Sequence, residues 1–419
     1  MNVRRHLPER SPRMPTSPPV LTDLLARRTR FARSDAIRDI LAAGAAPGVL
    51  SMAGGLPAPD TFPTEELARI LDRVLTESAA AALQYSPTEG VPAMREVLAR
   101  LASATGAPVT ADRVLVTGGS QQGLDLVAGI LLEEGDVVAL DDPSYLGAVQ
   151  SFRRAGARLL PIPSDADGMD TDALEERLTA GARCKVVYVV PHFHNPSGAV
   201  LSVHRRRHLA ALAEKFGFVI VEDDPYADLA FDGTRQPSVD MLSERVVRLM
   251  SLSKTLCPGL RVGGLVAPAS LVPELAGAKQ CADLQTNTLG QHVLARLLAD
   301  PGFLPGHVAR LQDFYRGRAG HLSGLIESRL PWLDFERPRG GLFFWCTVTA
   351  PGIDSGSLAR TALAEGVAVV PGAPFCIERD GSRNLRLSFA TLTEAQLLSA
   401  VDRLSAAFEK ASVALESHR

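Results

Sequence analysis

The stretch MSLSKTLCPGLRVG places Lys254 behind a β-type run, with Ser251 and Ser253 just ahead of it and Arg261 seven residues beyond it. A lysine taken at random is a solvated surface group. Lys254 lies where other charge is sparse, and burial there would lower the pKa of its amine and make it a nucleophile towards an aldehyde. Two hydroxyl donors and a fork-shaped guanidinium suit a phosphate. One segment thus offers both a carbonyl trap and an anion clamp. The stretch VTGGSQQGLDLV has the form strand, glycine turn, helix, with Gly119, Ser120 and Gln121 at the turn. Such a turn directs free backbone N–H groups and the positive end of a helix dipole at an anion. Glycine turns entering helices are common and usually only structural, so this one gains its weight from the clamp.

In VEDDPYADL a strand ends on carboxylates and a tyrosine, and the DxxY spacing lets Asp223 and Tyr226 converge on one planar ligand. Charged clusters at strand ends are more often solvated. The functional alternative sets Asp223 against a pyridine nitrogen, keeping it protonated and the ring an electron sink, with Tyr226 on the ring phenolate. In PHFHNPSG, Asn195 could reach the same oxygen; His192 and His194 form HxH with no third ligand nearby, so packing or substrate contact is favoured over a metal. Tyr145 in DDPSYLG suits stacking on a flat ring or simple core packing. Arg386 in LRLSFA occupies a strand-like run, where an unpaired charge is costly to bury. A bidentate carboxylate ligand would satisfy it, and so would a structural ion pair.

These side chains need a scaffold, and the chain is long enough to supply one. At 419 residues it exceeds what one growing hydrophobic core serves, which favours two intimately packed domains. Forty-four basic against forty-seven acidic residues give a net charge of −3, which offers no global attraction to nucleic acid or anionic membrane. Small-molecule partners follow. Five scattered cysteines without CxxC spacing suggest neither a disulfide framework nor a zinc site and fit a reducing cytoplasm. Residues 1–20, basic and proline-rich without an apolar core, read as a flexible arm rather than a secretory signal, and no stretch reaches the ~20 apolar residues of a membrane span.

After the arm, helical spacing over Val20 to Ala46 runs into the loop GAAPGVLSMAGGLPAPDTFP. From Thr64, amphipathic helices (Glu65–Glu77, Val91–Ala104) alternate with seven short β-branched runs: RVLVTGG, DVVALDDPSY, ARLLPIP, CKVVYVVP, FVIVEDDPY, VVRLMSLSK and VGGLVAP. Alternation of this kind predicts a mostly parallel sheet covered by helices on both faces, an α/β fold. Beyond it come a long helix from about Pro301, the runs FERPRGGLFFWCTV, VAVVPG and LRLSFA, and helices near Ser357–Glu365 and from Glu394, a smaller α+β domain. The division expected is 1–20 arm, 21–62 segment packing with the small domain, 63–300 large cofactor-binding domain and 301–419 small domain.

In order along the chain, SMAGGLPAPDTFP, ALQYSPTEG, TGGSQQGLDL, DDPSYLGA, PHFHNPSG, VEDDPYADL, SLSKTLCPGLRVG, PRGGLFFW and LRLSFATL together resemble the fold-type I, class I/II pyridoxal-phosphate-dependent aminotransferases, nearest the branch of 2-aminoadipate and kynurenine aminotransferases. The resemblance implies a seven-stranded, mostly parallel sheet in the large domain and pyridoxal 5'-phosphate as cofactor. It implies that Lys254 is the Schiff-base lysine and proton shuttle, Asp223 the partner of the ring nitrogen, and Asn195 and Tyr226 the partners of the ring oxygen, with Tyr145 stacked above. It implies phosphate ligation by Ser120, Gln121, Ser251, Ser253 and Arg261, joined by Tyr85 of the partner subunit, hence a homodimer with shared sites. Arg386 becomes the clamp for the substrate α-carboxylate, with Gly55 in the loop that closes over it. His192 and His194 stand where that branch carries small or amide residues, which implies an altered side-chain pocket.

Transamination between an L-amino acid and a 2-oxo acid is the activity expected, with 2-aminoadipate, aromatic or arylglycine-type amino acids, leucine and glutamate as open donors. Two alternatives stand beside it. The same cofactor supports racemisation, elimination, decarboxylation or cyclisation, because the fold does not dictate the reaction. A ligand-sensing DNA-binding regulator would carry a winged-helix module ahead of the domain, and the ~40 residues there lack a helix-turn-helix pattern.

Overall fold

The computed structural model describes residues 21–30, 42, 44 and 46–416; the expected arm over residues 1–20 lies outside them. Of the helix expected over Val20 to Ala46, Leu21–Leu24 and Arg27–Arg30 form 3-10 turns, and most of the remainder lies outside the described residues. The first turn buries no side chain, so nothing there supplies the tertiary packing that usually sustains a helix.

The first two-residue strand, β1 (Leu50–Ser51), precedes the large domain's own strands β2 (Val114–Thr117), β3 (Val137–Asp142), β4 (Arg158–Asp165), β5 (Gly168–Met169), β6 (Cys184–Val189), β7 (Val219–Asp223), β8 (Val246–Ser251) and β9 (Gly263–Val266). They form one sheet in the order β2-β9-β8-β7-β6-β3-β4-β5. All seven expected runs are strands of it; most are buried nearly throughout, as a sheet covered on both faces demands, while β4, beside the short edge strand β5, is only partly buried. The eighth, β5, was not expected: a two-residue loop between the paired Asp165 and Gly168 folds the chain back antiparallel onto β4.

Direction matters more than strand count here. β3, β4, β6, β7 and β8 are parallel, and β9, antiparallel to both β8 and β2, leaves β2 running with them. The loops after β2, β3, β6, β7 and β8 therefore leave from one edge, the carboxyl edge at which open α/β sheets gather ligands. Helices Thr64–Ala82 and Pro92–Ser103 match the two amphipathic stretches and Ser120–Leu131 the helix after the glycine turn, with Pro92 in a first turn where its missing N–H costs nothing.

The smaller domain is built on an antiparallel sheet ordered β10 (Leu333–Phe335), β11 (Phe343–Val348), β14 (Asn384–Ser388), β13 (Val370–Pro371). Helices Phe303–Arg329, Ser355–Ala364 and Glu394–Glu416 accompany it, and Trp332 stacks on Phe408 with ring centroids 4.0 Å apart. The segment ahead of the large domain is bound to it: β1 pairs in parallel with β12 (Val367–Ala368), and the Ser388 N–H donates to the Met52 carbonyl at 2.7 Å.

One carboxylate fastens the large sheet's edge to that domain. Asp142, buried at the end of β3, accepts the backbone N–H groups of Ile377, Glu378 and Arg379 at 2.9, 2.9 and 2.8 Å. Hydrogen bonds to a charged acceptor contribute about 1.5–3 kcal/mol each. Asp142→Ala is expected to speed hydrogen exchange at those three amides by roughly 10- to 100-fold. Unchanged protection in an exchange experiment would show that the loop is held by other contacts.

Candidate active site

The five loops of the carboxyl edge and the strand β14 enclose a cavity of about 490 Å³. Lys254, Asp223, Tyr226, Gly119, Ser120, Gln121, Tyr145, Asn195, Ser251, Ser253, Arg261, Arg386 and Gly55 all line it. Tyr85 does not: it is 75% exposed, in a separate surface groove with Leu83, Gln285 and Thr288.

Lys254 follows β8, and its Nζ donates to the Gly55 carbonyl at 2.6 Å. Burial, then the positive charges of Arg386 and Arg261, lower its pKa to about 8, with Asp223 opposing them. More uncharged amine, the form that attacks a carbonyl, is therefore present near neutrality than an ordinary lysine would supply. Gly55 must lack a side chain, because a Cβ there would stand 2.6 Å from Cζ of Phe343.

Asp223 ends β7. Its Oδ2 accepts from the Tyr188 hydroxyl at 3.0 Å, and the nearby Ser120 hydroxyl also favours the charged carboxylate. Burial pushes its pKa up to about 7, against the pull of Tyr188, Ser120 and Lys254. Oδ1 is buried without a partner, an open acceptor that suits the cationic N–H of a protonated ring. Asn195 lies near enough to Tyr226 to favour its charged form slightly, and both face the cavity. Burial raises the phenol pKa values of Tyr226 and, to about 12, Tyr145, so both remain neutral donors.

At the anion end, Gly119 (φ +112°) turns β2 into the helix Ser120–Leu131 without a side-chain cap, leaving first-turn N–H groups free. A Cβ on Gly119 would stand 3.0 Å from Nη2 of Arg261. Arg261 adopts left-handed backbone (φ +53°), an unusual conformation for a side chain of its size, and its guanidinium bonds the Gly118 carbonyl. The Ser251 hydroxyl accepts the Ser253 N–H at 3.2 Å, setting two hydroxyls beside it. Gln121 is held by Ser151 at 2.8 Å.

Arg386 is the cavity's other cation. Nη1 donates to Asn195 Oδ1 at 2.8 Å and Nη2 to the Ala53 carbonyl at 2.6 Å, while the Phe343 and Phe375 rings lie 4.3 and 4.9 Å from its central carbon. Among the described residues no carboxylate satisfies it, and its Nε is buried without an acceptor. Of the two options open from sequence, a structural ion pair and a carboxylate ligand, the contacts favour the second.

The histidines face elsewhere, which corrects the expectation of an altered pocket. His192 Nδ1 meets Asp224 Oδ1 at 2.9 Å and its Nε2 meets Arg206 Nη2 at 3.3 Å; His194 Nδ1 meets Ser197 at 2.8 Å. Neither lines the cavity. Sequence reasoning missed Tyr188, Phe343 and Phe375. The signal for Tyr188 was a phenol inside an otherwise apolar strand run, since a buried hydroxyl needs a partner; nothing in PGAPF marked Phe375.

The family described as aminotransferase class I and II matches residues 57–404. A 2-aminoadipate transaminase of Thermus thermophilus is 40% identical over 383 residues, spanning 90% of this chain and 94% of that protein. Aromatic-amino-acid aminotransferase 1 of Thermococcus litoralis is 36% identical over 381 residues, spanning 89% and 91%. The crystal structure of an alpha-aminoadipate aminotransferase from Thermus thermophilus, complexed with N-(5'-phosphopyridoxyl)-L-leucine, superposes with a TM-score of 0.87 at 38% identity, covering 94% of this chain and 99% of that one. The chain therefore belongs to the class I and II aminotransferases, and its cofactor is pyridoxal 5'-phosphate.

Proposed function

We propose that this chain moves an amino group reversibly between an L-amino acid and a 2-oxo acid in two half-reactions at the one cavity. The observation that carries this is the company Lys254 keeps: a half-buried amine shares a cavity with an orphaned acceptor, Asp223 Oδ1, and an orphaned donor, Arg386 Nε. When bound, the cofactor supplies an aldehyde to receive the amine and a protonated ring to accept the electron pair from Cα.

Lys254 would anchor the cofactor through its amine and, when free of it, would carry the proton to and from substrate Cα. Asp223 holds the ring nitrogen's proton, Asn195 and Tyr226 bind the ring oxygen, and Tyr145 stacks on the ring. Ser120, Gln121, Ser251, Ser253, Arg261 and the N–H groups after Gly119 hold the phosphate. Arg386 orients the α-carboxylate, and the loop containing Gly55 covers it. The exposed Tyr85, remote from its own chain's cavity, supports a homodimer in which Tyr85 of the partner subunit completes the phosphate site.

Donors of the kinds named for the relatives, 2-aminoadipate and aromatic amino acids, are the first to test. We assign 63–300 to the cofactor domain and 301–419 to the small domain, with 21–62 packed on the latter through β1 and Ala53. Among the described residues no helix is long and apolar enough to cross a membrane, and the five free cysteines support a cytoplasmic setting.

Adding an amino acid without an acceptor should convert the bound cofactor to its amine form, and steady-state kinetics should be ping-pong. Absence of that conversion with every amino acid in a broad panel would point to another fate for the carbanion. Lys254→Ala should lower turnover by roughly 10²- to 10⁴-fold or more, read by coupled assay. Arg386→Leu should lower kcat/KM for amino acids by about 2–5 kcal/mol, roughly 30-fold to several thousand-fold. Capture of the cofactor by cofactor-free protein should quicken with pH and level off above about 8, as Lys254 loses its proton; a rate that falls across that range would contradict the assigned nucleophile.

A further inference from the structure

Tyr188 lies in the middle of β6 with no solvent exposure, between Val187 and Val189. Its backbone partner on β7 is Val221. Residues two apart on a strand share a face, so Asp223 falls on the same side and within reach of the phenol. The hydroxyl donates to Asp223 Oδ2 at 3.0 Å, and the ring packs edge-on against Phe152 at 5.7 Å. Burial holds the phenol pKa well above its ordinary value, which keeps the proton on Tyr188 and makes it the donor. Tyr188 does not line the cavity, so it touches neither cofactor nor substrate.

We infer that Tyr188 is a positioning residue which, by binding Oδ2 from the neighbouring strand, turns Oδ1 of Asp223 into the cavity and keeps the carboxylate anionic opposite the cofactor's ring nitrogen. The inference rests on the role proposed above for Asp223. The problem it solves is electrostatic. Burial favours a neutral carboxyl, and the adjacent negative charge of Asp224 pushes the same way. Against them act the Tyr188 hydroxyl from β6, Ser120 from the helix after β2, and the Lys254 charge from the loop after β8. Tyr145 and Tyr226, the other titratable groups that feel this charge, stay neutral through burial. Asp224 is engaged on the far side by His192 at 2.9 Å and by Arg235 at 3.9 Å, so it does not compete for the cavity. Of the two hydroxyls that favour the charged form of Asp223, only that of Tyr188 lies outside the proposed phosphate site, so it can be altered without touching an assigned ligand.

Tyr188→Phe deletes the donor and keeps the ring on Phe152. Three quantities are read: the equilibrium dissociation constant of pyridoxal 5'-phosphate from cofactor-free protein, the pH midpoint of the bound cofactor's visible absorbance, and the kinetics of the amino-acid half-reaction. The expected result is cofactor binding weakened roughly 10- to 100-fold, an absorbance midpoint moved up in pH, and a lower half-reaction rate constant with substrate KM nearly unchanged. Replacing Tyr188 by 3-fluorotyrosine, a stronger donor of nearly the same shape, should move affinity and midpoint the opposite way and serves also if the phenylalanine variant folds poorly. A variant with shifted unfolding temperature but wild-type cofactor affinity and absorbance midpoint would reduce Tyr188 to a packing residue and overturn the inference. If the wild-type protein failed to transaminate any amino acid, the functional proposal would fall while the affinity measurement still decided Tyr188.

Discussion

Three charged side chains, Lys254, Asp223 and Arg386, converge on one cavity largely out of water, and the rest of the site is arranged around the cost of putting them there. Each would be expensive to bury alone. Each is only partly compensated by the protein: the Gly55 carbonyl for Lys254, Tyr188 and Ser120 for Asp223, Asn195, a carbonyl and two aromatic faces for Arg386. What remains unmet is one acceptor atom and one donor atom, and these suit the protonated nitrogen of a bound ring and the carboxylate of an amino acid.

The sheet makes the convergence possible and the small domain completes it. A parallel sheet delivers successive loops to one edge, so residues far apart in sequence meet without long excursions of the chain. Arg386 then arrives from β14 and binds two segments from elsewhere, Ala53 ahead of the large domain and Asn195 in the loop after β6. A single guanidinium thereby registers the relative position of three parts of the chain, and a carboxylate seated on it would draw on all three.

Much of this was legible in the sequence because local pattern and chemistry coincide in it. The seven β-branched runs are all strands, since a doubly covered sheet requires largely apolar stretches, and the runs that form β2, β3, β6, β7 and β8 lead into residues that line the cavity. What was not legible depended on tertiary placement. Tyr188 looked like another apolar strand residue; only the register between β6 and β7 brings its hydroxyl to Asp223. The aromatic faces on Arg386 come from Phe343 and Phe375, which meet only when the small sheet folds. His192 and His194 pointed towards the pocket by their proximity in sequence to Asn195, yet the loop turns them to Asp224 and Ser197. Strand β5 was missed because two residues carry too little pattern to announce a strand.

The central claim is that the amine of Lys254 is the group that condenses with the cofactor's carbonyl carbon. It is tested most directly by reducing the holoprotein with borohydride and mapping the modified peptide by mass spectrometry. The account predicts a single pyridoxyl adduct on the peptide containing SLSKTL. An adduct on a different lysine, or none from protein loaded with the cofactor, would contradict it.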